Sequence, residues 1–155
     1  METTALEEAY AGLIAAALAA PARHPAEPPG EHGTDWTLAH IALSDRLLAS
    51  TAREVLVGVP PVLDNGPAMD PAAIKELTSS AGRDVLVELV RRNGAELVGL
   101  IGRIPVENRS VPVAVRLVGD SGEELFAGPV PWGEIVRMRA EEHIPGHTAR
   151  LWRAS

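Results

Sequence analysis

The stretch WTLAHIALSDRLL, residues 36–48, repeats its apolar side chains at helical spacing and carries a histidine among them. Trp36, His40, Leu43 and Leu47 fall on one stripe, which places His40 on the buried side of a predicted helix with Ser44 one turn further on. Thr34 or Asp35 stands where a cap belongs, and the pattern runs to about Val57. Before it, Leu6, Tyr10, Leu13, Ile14 and Leu18 predict a first helix from about Thr4 to Ala20, stopped by Pro21. The connecting PARHPAEPPGEHG, residues 21–33, reads as a loop that holds His24 and His32.

After this helix the pattern breaks. Residues 58–70, including VPPVLDNG, read as loop, and Asp70-Pro71 is a strong helix start. That helix is predicted to be short, because Ser79, Ser80 and Gly82 interrupt it. A longer one follows from about Ala81 to Ile101, with Val85, Leu86, Leu89, Val90, Leu97, Val98 and Ile101 as its apolar face. Gly94, Gly99 and Gly102 weaken its propensity but permit close helix contact. VPVAVRL and LFAGPVPW then predict a hairpin turning at Gly119-Asp120-Ser121-Gly122, with Pro112, Pro129 and Pro131 confining it to edge-like or irregular pairing. A last helix is expected from near Trp132 to about Trp152.

That last helix contains EEHIPGHTARL, residues 141–151. His143 and His147 are four apart, so on a helix both rings can face the same ion, and His40 from another helix would complete a three-histidine set with an open position. Pro145 removes the backbone bond to the Glu141 carbonyl and is expected to kink the helix between the two rings. The competing reading makes HIPGH a turn between short helices, with both rings at the surface. The pattern is not H-E-x-x-H, since Ile144 follows His143; Glu141 and Glu142 read as surface charges, or as partners that orient an imidazole. GDSG at residues 119–122 is explained by the hairpin turn without any serine nucleophile.

Composition narrows the options. The chain has 155 residues, enough for a single domain with its own core, and no internal repeat. Hydrophobic residues make up 46% but aromatics only 3%, so Ala, Leu and Val must build that core, which favours close-packed helices. A net charge of -7 without a basic stripe argues against nucleic acid as a partner. With no cysteine, the chain has neither disulfides nor a thiolate of its own. The apolar start AYAGLIAAALAAPA is preceded by Glu2, Glu7 and Glu8 and no basic residue, unlike a signal peptide, and is too short to span a membrane. A cytoplasmic protein is expected, with a small-molecule substrate and room on its helix backs for homodimer contacts.

WTLAHIALSDRLL and EEHIPGHTARL together resemble the DinB/YfiT-like superfamily of four-helix-bundle metalloenzymes. The resemblance implies an all-α four-helix bundle with long crossover loops, the small β-hairpin before the last helix being an elaboration. It also implies a divalent ion, zinc or nickel, held by His40, His143 and His147, with water or substrate completing its shell. Members of the superfamily include mycothiol-dependent maleylpyruvate isomerase and bacillithiol transferases, so a low-molecular-weight thiol is the implied cosubstrate. In the isomerase branch one ligand of the last helix is a glutamate; the all-histidine set here is nearer the YfiT-like branch. A thiol-dependent S-transferase or isomerase acting on a small electrophile is the activity this suggests. Ser44 and Arg150, each within a turn of a proposed ligand, are candidate contacts for substrate or cosubstrate, against the plainer reading of a helix-packing serine and a surface arginine. A metal-dependent hydrolase, or a non-catalytic bundle with Trp36, Trp132 and Trp152 as pocket walls for a ligand or partner, would use the same interior.

Overall fold

The computed structural model describes residues 1–21 and 32–153, and the apolar stripes of the sequence become the packed faces of its helices. Helix α1, Thr4–Ala19, buries Leu6, Tyr10, Leu13, Ala16 and Ala17. Helix α2, Thr34–Val57, buries His40 together with Leu38, Ile41 and Leu48. No side chain caps α2: Gly33 is its N-cap, and Asp35 is paired with Arg83 instead. At its far end Gly58 takes φ 76°, a left-handed conformation that suits glycine, and returns its N–H to the Glu54 carbonyl.

The segment read as loop between α2 and Asp70 is more ordered than its sequence suggests. It contains strand β1, Val62–Asp64, and the single-turn helix α3, Gly66–Met69. Helix α2 tethers that strand: the Thr51 hydroxyl donates to the Val62 carbonyl at 2.6 Å, and Glu54 accepts from the Val62 N–H at 2.9 Å. Helix α4, Pro71–Ser80, starts as expected, with the Asp70 carboxylate accepting from Ala72 N–H at 2.9 Å. Helix α5 follows, Arg83–Arg103, then a 3₁₀ turn, Val106–Ser110.

Strands β2, Pro112–Val118, and β3, Glu124–Pro131, form the predicted hairpin around Gly119–Gly122. The hairpin is not isolated: β1 pairs parallel with β2, giving a three-stranded sheet in the order β1-β2-β3. The Asn65 side chain extends that pairing, donating to the Val118 carbonyl and accepting from its N–H. The prolines behave as edge residues. Ala114 N–H bonds Pro61 on the β1 side, so its partner Pro129 turns its ring nitrogen to the free edge; Pro131, two residues on, does the same.

The last helical run has three parts: α6, Trp132–Met138; a π turn, Arg139–His143; and α7, Ile144–Arg153. Helix α2 packs chiefly on α5, while α1 lies against α5, the π turn and α7. Gly94 of α5 makes one of these approaches possible, since a Cβ there would meet the Tyr10 ring at 3.0 Å. Val85, expected on the buried face of α5, is 54% exposed. The molecule is mostly helical with a small sheet, and among the described residues no helix is long and apolar enough to cross a membrane.

Candidate metal centre

The π turn is what the chain makes of Pro145. Proline has no N–H to return and its ring crowds the preceding turn, and the turn just before it is widened: Ile144 N–H bonds the Arg139 carbonyl, five residues back. The disturbance, expected between the two histidines, instead occupies Arg139–His143, on the N-terminal side of that interval. From there α7 continues regularly, and His143 and His147 stay four apart on one face.

Both rings turn inward, not to the surface. His40 is 4% exposed and His147 8%, with His143 half-buried between them. Ring centroids are 5.5 Å apart for His40 and His143, 5.3 Å for His40 and His147, and 4.8 Å for His143 and His147. One nitrogen from each ring lies within 4.8 Å of the others, so the three could hold a metal ion. The Nε2 atoms of His40 and His143 are 3.4 Å apart, close to the edge of about 3.3 Å that a tetrahedral ion with nitrogen bonds of ~2.0–2.1 Å requires.

Burial also selects the protonation state that binds metals. It lowers His40 to about 4 and His147 to about 3, the latter helped by His40, Arg150 and Arg139. Burial, with the neighbouring Arg139 charge, takes His143 far below the ordinary imidazole range. All three rings are neutral near pH 7, as metal ligation requires. His40 is oriented for it: its Nδ1–H donates to the Ala68 carbonyl of α3 at 2.9 Å, which leaves Nε2 facing the other rings. One turn earlier, Trp36 stacks on His40 at 5.1 Å, and His32 stacks on Trp36 at 3.5 Å while meeting Asp120 of the hairpin turn at 3.2 Å.

Behind His143 lies a polar network that sequence reasoning passes over. Arg139, 6% exposed, sets one guanidinium nitrogen 2.7 Å from His143 Nδ1; the other donates to Ser44 Oγ at 2.8 Å and to the Asp45 carboxylate. Asp45 is fully buried and also accepts from the Tyr10 hydroxyl. Two signals were available: an arginine four residues before His143, and an aspartate inside the apolar run of α2. Ser44 thus faces Arg139 and the Ile41 carbonyl. Arg150 is exposed, and its charge reaches both His143 and His147. Glu141 and Glu142 pair with Arg137 at the surface, so the orienting contacts come from Ala68 and Arg139 instead. Of the tryptophans, Trp36 stacks on the cluster through His40, Trp132 is buried in the core and Trp152 is 51% exposed. His24 lies outside the described residues.

No family model and no curated protein matches the sequence. Among solved structures, 96% of the chain superposes on the crystal structure of a mycothiol-dependent maleylpyruvate isomerase with a TM-score of 0.66 at 18% identity. The fold is DinB/YfiT-like. The chain spans 58% of that isomerase's length.

Proposed function

We propose that this chain is a divalent-metal-dependent enzyme, a thiol-dependent S-transferase or isomerase acting on a small electrophile. The observation that carries the reading is the cluster of three neutral, inward-facing histidines, His40, His143 and His147. In this reading α1, α2, α5 and the α6–α7 run are the four helices of a bundle around the site. Imidazole nitrogens suit zinc or nickel. The ion would supply Lewis acidity, drawing the proton from a thiol or water brought beside it.

Each remaining part belongs to the chain itself. His40, anchored through Ala68, fixes one corner of the site. Trp36 backs the His40 ring and His32 backs Trp36, and Arg150 offers a positive charge to an anionic substrate or thiol. Ser44 contributes through Arg139. The chain has no cysteine, so the nucleophilic sulfur comes from a separate low-molecular-weight thiol. The solved structure that shares the fold bears the name of a mycothiol-dependent enzyme, which supports looking for that chemistry here.

The test is electrophile turnover by protein loaded with zinc or nickel, with and without mycothiol, bacillithiol or glutathione. Turnover that needs both ion and thiol supports the proposal. Turnover that needs the ion alone would make the protein a hydrolase, and no turnover with any thiol would leave a binding bundle.

A further inference from the structure

We propose that Arg139 is a positioning residue that locks the His143 ring in its Nε2–H tautomer, making His143 a more readily displaced prospective ligand than His40. The second half of this statement rests on the metal reading above; the first half does not.

A guanidinium has donors only. Its nitrogen lies 2.7 Å from His143 Nδ1, so Nδ1 must present a lone pair, and the proton of the neutral ring sits on Nε2. That proton has an acceptor. His40 Nε2 is 3.4 Å away, and its lone pair is free because the His40 proton is on Nδ1, donated to the Ala68 carbonyl at 2.9 Å. Every donor therefore points the same way, from Arg139 through His143 and His40 to the backbone of α3. Arg139 is held in this position by Ser44 and by Asp45, which is itself held by Tyr10.

A metal-bound histidine ordinarily gives its remote N–H to a carbonyl or carboxylate, which raises the basicity of the ligating nitrogen. His40 follows that rule, and His143 reverses it. For His143 Nε2 to grip a cation, its proton must leave; a proton moved to Nδ1 would face the Arg139 donor and break that bond. His40 needs no such exchange.

Long-range ¹H–¹⁵N correlation spectra of the metal-free protein test the lock directly. Expected are Nδ1–H at His40 and Nε2–H at His143, whereas Nδ1–H at His143 would overturn the proposal. The second arm is zinc affinity by chelator competition in wild type and in the paired variant Asp45→Asn, Arg139→Met, which removes the donor without stranding a buried carboxylate. Relief of the lock should tighten binding about tenfold, the scale typical of contacts that orient a ligand. The gain should vanish when His143→Ala is added. Unchanged affinity, or a gain that persists without His143, would contradict the proposed ranking of ligands. A protein that binds no ion would refute the metal reading and the ranking while the spectra still decide the lock, and they also decide it where the paired variant fails to fold.

Discussion

Arg139 and Asp45 are opposite charges almost wholly withdrawn from water, and each is tolerable only because the other is present. Arg139→Ala leaves the Asp45 carboxylate buried without its cation and is expected to destabilise the fold by about 3–5 kcal/mol in urea titration. A loss below ~1 kcal/mol would mean that water already reaches the pair. The histidines set a pH dependence of definite sign. An unfolded histidine titrates near 6.5, whereas folded His40 and His147 titrate at about 4 and about 3. Between those limits the unfolded chain binds more protons. The histidines' contribution to the stability of the metal-free protein is therefore full above pH 6.5 and is lost as the pH drops, through about 4 for His40 and about 3 for His147. His40 alone accounts for roughly 3 kcal/mol of that loss, so His40→Asn should flatten the slope of unfolding free energy between pH 6.5 and 4. At this scale the sequence reveals ligands and conceals partners. A histidine in an apolar stripe announces itself, but the contact between Arg139 and Asp45 joins residues 94 apart and needs the packed helices to exist.

The long helices α1, α2 and α5 were legible from their apolar faces at helical spacing, and α4 from its Asp70-Pro71 start, whereas the single turn α3 was not. Strand β1 was not, since three residues between Pro61 and Asn65 have no period to read and owe their pairing to Thr51, Glu54 and Asn65. Pro145 marked where the last helix departs from regularity, but not that a π turn would precede it, because a missing N–H can be met by a kink, a break or a widened turn alike. The glycines of α5 separate packing from propensity. At Gly94 an added methyl meets the Tyr10 ring, which Asp45 pins in place, so Gly94→Ala should destabilise by about 1 kcal/mol despite alanine's better propensity. At exposed Gly99 nothing lies within 4 Å, and Gly99→Ala should stabilise by ~0.5–1 kcal/mol. Thermal melts of the two variants that moved in the same direction would refute this assignment.

Across the whole molecule, the helices carry the site, and among the described residues no strand pairs with the outer edge of β3. Strand β3 exposes Leu125 and Phe126, and only Pro129 and Pro131 withhold N–H groups from a neighbouring chain. Replacing both prolines by threonine should promote concentration-dependent self-association, visible by light scattering coupled to size exclusion; an unchanged mass at high concentration would show that the edge is protected in some other way. The composition pointed correctly to a helix-dominated chain, because a core of Ala, Leu and Val with few aromatics packs best as helices. It could not show that the hairpin recruits a third strand from a distant loop. The proposed activity requires a cation bound among His40, His143 and His147. Cobalt titration of tag-free protein, followed by visible absorption, tests this most directly. We expect one equivalent to bind with the d–d bands of a low-coordinate nitrogen site, and the bands to vanish in His40→Ala and His147→Ala; featureless spectra in the wild type, or bands that survive both substitutions, would contradict it.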